Sequence, residues 1–306
     1  MISHKKYLIP IIGPTAIGKT AHAIALAQHF SSEIISADSR QFYKEMSIGT
    51  AVPNDDELQA APHHFIHHIS IEDTYSVGDY EKEAVKKINH LFKTHDVLFL
   101  VGGSGLYIDA VTKGLDDFPK TDTAVRAQLN EHLKHKGLEH LQEQLKELDP
   151  NYYEKVDIHN PHRVIRALEV CLQTGQPFSS FLGKKKNDLS FEVIQLGFTA
   201  DRSVIYDRIN QRVDIMTQNG LLDEAKALYS KKHLNALQTV GYRELFAHFD
   251  NEMTLEGAVA EIKKNTRRYA KRQLTWFQKD ESIHWFQHNV STKKVIDFIV
   301  KKMSQS

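Results

Sequence analysis

An α/β fold built on a doubly wound parallel sheet with a P-loop, interrupted by a small all-helical insertion domain, is predicted by three features of the sequence. Apolar runs of strand length alternate with helical spacing over the first hundred residues. The first of these runs leads into GPTAIGKT at residues 13–20, a phosphate-binding pattern in its strand-to-helix setting. From Pro119 the texture changes, and residues 119–188 carry helical periodicity alone.

YLIPII (7–12) is apolar at every position, as a strand buried on both faces requires, and TAHAIALAQHF after the glycine turn has helix spacing. EIISA (33–37) and VLFLV (97–101) repeat the strand pattern, while residues 80–93 place Val85, Ile88 and Phe92 on one helical face. In the insertion, Val125, Leu129 and Leu133, then Leu138, Leu141, Leu145 and Leu148, recur every three or four residues. Gly137 breaks the pattern, and Asp149 with Pro150 stops it. Asn160 and Pro161 read as the N-cap and first residue of a helix that Gly175 closes, and a loop containing GKKKND (183–188) follows. FEVIQLGF (191–198) returns to strand character ahead of a long helical C-terminal half. The expected domains are residues 1–118 and 189–306 for the two parts of the core and 119–188 for the insertion.

The chain has 306 residues, with 39 Lys plus Arg against 39 Asp plus Glu. Zero net charge means that affinity for a polyanion must come from local clustering. With 41% apolar and 25% charged residues, disordered, collagenous and integral membrane classes are excluded. The single cysteine, Cys171, cannot close an internal disulfide or build a thiolate zinc cluster, and its place in ALEVCL reads as a small buried hydrophobe. No secretory h-region or membrane-length apolar run is evident, so a cytoplasmic location is expected.

The P-loop, Gly13, Pro14, Thr15, Ala16, Ile17, Gly18, Lys19 and Thr20, offers backbone N–H groups, a helix N-terminus and the Lys19 ammonium to a phosphate, and the Thr20 hydroxyl to Mg²⁺. This is also an ATP-binding pattern, yet VLFLV runs into Gly102-Gly103-Ser104-Gly105 rather than into a Walker-B acid. The acid occurs instead as Asp38 after EIISA. Loops beyond the carboxyl ends of the strands share one crevice in such a sheet, so the P-loop, Asp38 and Ser104 are expected to face each other. Asp38 fits a general base, a helix cap or a group that holds water bound to Mg²⁺; Gln41 fits base-edge recognition or a solvated turn. Arg208 and Arg212 share a helical face and suit either a diphosphate clamp or solvent. Residues 261–280 hold seven Lys or Arg and two acids, with Lys264, Arg268 and Lys271 in one stripe and Ile262, Tyr269 and Trp276 opposite. That pattern fits a docked helix offering its basic side to phosphates, or a merely solvated face. PHHFIHH (62–68) has metal-like spacing without a carboxylate partner pattern and reads better as hydrogen-bonded or surface histidines.

In GPTAIGKT, DSRQFY (38–43), IGTAVP (48–53), APHH (61–64), GGSGLY (102–107), NPHRVIRALEV (160–170), QTVGYRE (238–244) and TRRYAKRQLTWF (266–277), the chain resembles tRNA dimethylallyltransferases (tRNA isopentenyltransferases) of the bacterial type. The resemblance runs from about Tyr7 past Trp285. It implies a prenyltransferase that moves a dimethylallyl group from dimethylallyl diphosphate to N6 of adenosine 37 in tRNAs reading codons that begin with U. It further implies a P-loop reused for the diphosphate leaving group, Mg²⁺ on Thr20, and catalytic roles for Asp38, Ser104 and Arg212. Asp38, Ser39, Arg40, Gln41, Ser104 and Arg126 would contact tRNA. So would His162, Arg163, Val164, Ile165 and Arg166 of the insertion, and Gln238, Thr239, Val240, Gly241, Tyr242 and Arg243. The insertion would grip the anticodon stem loop, and a monomer would suffice.

Two positions depart from the family pattern: Ser104 stands where Thr is usual, and Asp122-Thr123 where Asp-Pro is frequent. One cysteine forbids the zinc finger of eukaryotic relatives. Two other readings stay open on sequence: prenylation of free adenine nucleotides, and a P-loop kinase or ATPase.

Overall fold

The computed structural model describes residues 5–119, 122–184 and 189–305. In chain order the first half of the core runs β1 (Tyr7–Ile12), α1 (Lys19–His29), β2 (Ile34–Ser36), α2 (Asp55–Ala60), β3 (His63–His64), α3 (Val77–Leu91), β4 (Val97–Gly102) and α4 (Gly105–Lys113). Helices α5 (Thr123–Leu148), α6 (Pro150–Tyr153) and α7 (Pro161–Thr174) follow. The chain then re-enters the sheet through β5 (Glu192–Val193) and β6 (Leu196–Thr199). It continues with α8 (Arg202–Gln218), α9 (Leu221–Leu228), α10 (Tyr242–Phe249), α11 (Leu255–Phe277), β7 (His284–Gln287) and α12 (Thr292–Gln305).

Seven strands form one parallel sheet in the order β3-β2-β4-β1-β6-β7, with β5 also pairing β1. Strand β1 explains its own apolar run. Tyr7, Ile9 and Ile11 pack with α1, α8 and α12 on one face, while Leu8 and Ile12 pack with α3 and α4 on the other. Pro10 accounts for the split of the neighbouring strand, because it has no N–H to give: β5 pairs Tyr7 and Leu8, β6 pairs Ile11 and Ile12, and the chain leaves the ladder between them. Strand β7 was not anticipated in a C-terminal half read as helical. On the predicted helix of residues 80–93 the buried stripe is Tyr80, Ala84, Ile88, Leu91 and Phe92, and Val85 is only partly covered.

The chain divides into two compact units, Met1–Thr112 with Leu189–Ser306, and Lys113–Asp188. The helical unit starts at Lys113 rather than Pro119 because Phe118, stacked on Phe178 with centroids 4.5 Å apart, belongs to its core. The far boundary and the GKKKND loop involve residues 185–188, which lie outside the described residues. Within this unit Leu129, Leu141 and Leu145 are buried, and Gly137 breaks α5 with φ 81°. Leu148 is 38% exposed, since Asp149 turns the chain there and caps α6 through Tyr152 N–H. Asn160 caps α7 through the N–H groups of His162 and Arg163, and Cys171 is buried, its sulfur accepting the Phe178 N–H.

Candidate active site

The carboxyl ends of β1, β2 and β4 deliver the P-loop, residues 37–41 and residues 103–105 to one side of the sheet. Two cavities open there. The larger, of about 840 Å³, is lined by the P-loop from Thr15 to Thr20, by Asp38, and by Arg208 and Arg212 of α8. The smaller, of about 310 Å³, is lined by Ser39, Arg40, residues 238–241, Arg243 and the Tyr269–Arg272 side of α11. Asp38 and Arg212 face both.

Local hydrogen bonding fixes the P-loop. Lys19 Nζ donates to the carbonyls of Gly13 (3.0 Å) and Pro14 (2.9 Å), and Arg208 Nε donates to Ala16 O at 2.7 Å. The Thr15 N–H is taken by Gln273 Oε1 and the Ile17 N–H by Pro14 O. Thr15 and Ile17 therefore have their amides committed, and the amides from Gly18 to Thr20, at the start of α1, are those that a helix N-terminus leaves for an anion. Burial lowers the Lys19 ammonium to a pKa of about 8, with neighbouring Arg212 acting in the same direction and Asp38 opposing it. Burial likewise lowers Arg212, against the pull of Asp38 and Glu57.

Asp38 caps the turn that follows it, Oδ1 accepting the Arg40 N–H at 3.0 Å, and its Oδ2 has no hydrogen-bond partner among the described residues. One oxygen is structural, and the other is open to the two cavities that Asp38 lines. Ser104 Oγ lies 3.3 Å from Ser39 Oγ and hydrogen-bonds the Tyr269 hydroxyl. Burial, then Asp38, raises the Tyr269 phenol, which therefore stays a neutral donor. The three loops thus meet around Asp38.

Several sequence assignments change in detail. The Gln41 amide donates to the carbonyls of Thr50 and Ala51 and accepts from Ser36 Oγ, so it braces the loop of IGTAVP instead of reaching for a base. Tyr242 is fully buried, its hydroxyl on Glu224 Oε1, and shapes the site only through its neighbours. Val164 and Ile165 are buried in the helical core, which leaves His162 and Arg163 as the exposed side chains of that segment. Arg126 and Arg166 both reach the buried carboxylate of Glu169. On α11 the buried seam is Ile262, Ala270, Gln273 and Phe277, so Trp276, 42% exposed, is not on a buried side. Lys264 pairs with Glu261, and Arg268 donates to Asn265. In PHHFIHH, His63 hydrogen-bonds Ala61 O, His64 pairs with Glu33 and His67 lies near Ser47 Oγ. Among the described residues no group of three or more His, Cys, Asp or Glu could hold a metal ion.

Three residues escaped sequence reading. Gln273, 6% exposed, ties the P-loop to β4 by accepting from Thr15 N and donating to Gly103 O, each at 2.9 Å. Glu224 accepts the N–H groups of Ser47, Ile48 and Gly49 and the Tyr242 hydroxyl, joining IGTAVP to QTVGYRE. Glu244 accepts from Gly241 N and Asn265 Nδ2, fastening QTVGYRE to α11. The motifs containing Gln273 and Glu244 were visible, but the partners of Gln273 lie more than 150 residues away, and Asn265, which Glu244 reaches on α11, about 20.

The IPP transferase family model matches residues 41–280. The tRNA dimethylallyltransferase of Christiangramia forsetii is 61% identical over 298 residues, covering 97% of this chain and 99% of that protein. Among solved structures, the full-length tRNA isopentenylpyrophosphate transferase of Bacillus halodurans superposes with a TM-score of 0.74 at 36% identity, covering 98% of each chain. A eukaryotic dimethylallyltransferase acting on tRNA superposes with a TM-score of 0.81 at 26% identity, covering 97% of this chain and 80% of that one.

Proposed function

The chain belongs to the IPP transferase family, and from that premise we propose that the P-loop grips a prenyl diphosphate while Asp38 serves the nucleophile arriving from the other side. The enzyme is a tRNA dimethylallyltransferase: it transfers a dimethylallyl group from dimethylallyl diphosphate to N6 of adenosine 37, in tRNAs that read codons starting with U. The observation that carries the mechanism is the meeting of two cavities at Asp38 and Arg212.

The larger cavity takes the donor. The amides of Lys19 and Thr20, the Lys19 ammonium and Arg212 surround the diphosphate, and their stabilisation of the departing anion is the main electrostatic contribution. The Thr20 hydroxyl lines this cavity and, with diphosphate oxygens and water, would give Mg²⁺ the hard oxygen ligands it prefers. Bound there, Mg²⁺ would supply further charge neutralisation. The smaller cavity takes the adenine, unstacked from its loop. As the C1–O bond to diphosphate breaks and the N6–C1 bond forms, Asp38 accepts the N6 proton. Ser104 sits behind Ser39 and Tyr269, which line the cavity for the base, and Gln238 to Gly241 with Arg243 line its approach. The exposed side chains of the helical unit, with Arg126 and Arg166, contact the anticodon stem. Among the described residues no helix is long and apolar enough to cross a membrane.

Incubation with dimethylallyl diphosphate, Mg²⁺ and unmodified tRNA, followed by nucleoside mass spectrometry, should yield N6-dimethylallyladenosine. Efficient turnover of AMP without tRNA would replace the tRNA assignment with a nucleotide prenyltransferase, and ATP consumption lost on Lys19→Ala would favour a phosphotransferase.

A further inference from the structure

We propose that the indole of Trp276 is a stacking platform for an unpaired base flanking the target adenosine, an inference that rests on the tRNA reading above. Trp276 continues the face of α11 that lines the smaller cavity through Thr266, Tyr269 and Arg272, one turn further on. It is fixed at two points. Its N–H donates to Asp109 Oδ2 at 2.9 Å, and its five-membered ring rests on Gly105, where a Cβ would lie 2.3 Å from Cδ1. A residue with a side chain at 105 would displace the ring, and Gly105 directly follows Ser104. The ring nevertheless remains 42% exposed, beside Leu106 at 46%.

An exposed aromatic held rigidly one turn beyond the residues that line a cavity loses little freedom on binding a flat partner. Charge selects that partner: Lys271, Arg272 and Lys279 on the same stretch are exposed and suit phosphates, which fits an RNA strand better than an apolar protein face. A base stacked here would hold the strand while its neighbour enters the smaller cavity.

The chain has two tryptophans, so Trp285→Phe leaves Trp276 as the sole indole reporter. An anticodon stem-loop RNA carrying the acceptor adenosine should quench its emission, and the same RNA with an abasic site at one flanking position should not. Trp276→Leu should weaken RNA binding about five- to 150-fold, the range expected for one stacked base, with donor affinity unchanged. Trp276→Phe should retain most of the affinity, since it keeps a ring but loses the Asp109 bond. Unquenched emission, wild-type affinity in Trp276→Leu, or equal losses in Phe and Leu would overturn the platform. If the unaltered enzyme fails to prenylate this RNA, the tRNA reading itself fails; if it prenylates while Trp276→Leu is silent, only the platform is wrong.

Discussion

Asp38 and Arg212 are the charged pair that face both cavities, one cavity floored by the P-loop and the other walled by α11. On the proposed mechanism, the carboxylate that would serve the incoming amine and the guanidinium that would hold the outgoing diphosphate stand at the junction where a prenyl carbon would change partners. Four consequences follow for variants of the residues that build this junction.

Asp38→Asn keeps the side chain's shape and its cap on the Arg40 N–H but removes the base. Single-turnover prenylation should fall about 10²–10⁴-fold, the usual worth of a positioned general base. Calorimetric affinity for dimethylallyl diphosphate should stay within about twofold, because the P-loop contacts do not involve this carboxylate. Equal loss of both would assign Asp38 to the metal.

Lys19 titrates at about 8 because burial, then Arg212, disfavours its charged form. If the protonated form binds the diphosphate, as proposed, kcat/KM for the donor, which reports the free enzyme, should fall as pH rises through about 8. Lys19→Ala should abolish that limb and weaken donor binding about tenfold to a hundredfold, as expected for a charge-assisted hydrogen bond. A pH profile flat to pH 10 in the wild type would contradict this assignment.

Gln273→Leu strips the Thr15 N–H and the Gly103 carbonyl of their shared partner. Each unsatisfied group costs about 1–3 kcal/mol when buried. Thermal unfolding should shift down by several degrees and the donor KM should rise, while kcat at saturation changes little. A variant with wild-type KM would show that the P-loop keeps its shape without this brace.

Glu224→Gln exchanges one acceptor oxygen for an amide that faces N–H donors. Of the four donors now satisfied, at least one is left without an acceptor, a loss of about 1–3 kcal/mol readable in chemical denaturation. Tyr242→Phe removes a single bond and should cost about 0.5–1.5 kcal/mol.

The parts of this site that were legible in the sequence are those encoded locally. The P-loop, the strand leading to Asp38, the cap at Asn160 and the helix stop at Asp149 are each specified within a few residues. What stayed hidden depends on distant partners. Gln41 offers the same amide to a base or to Thr50 and Ala51, and only the folded loop decides. Trp276 lies at helical spacing from Tyr269 and reads as one apolar side, but Gln273 and Phe277 fill the seam and leave the indole outside. Strand β7 spans four residues, too few for periodicity to separate it from helix, and it exists because β6 offers a free parallel edge. The helical unit's start escaped notice because Phe118 joins its core by stacking on Phe178, sixty residues later.

The most direct measurement is a crystal structure of the enzyme soaked with a non-hydrolysable thio-analogue of dimethylallyl diphosphate. The account predicts diphosphate oxygens on the amides of Lys19 and Thr20, with Arg212 against them and the prenyl carbon turned toward Asp38. An analogue seated elsewhere, with the P-loop free of phosphate, would contradict it.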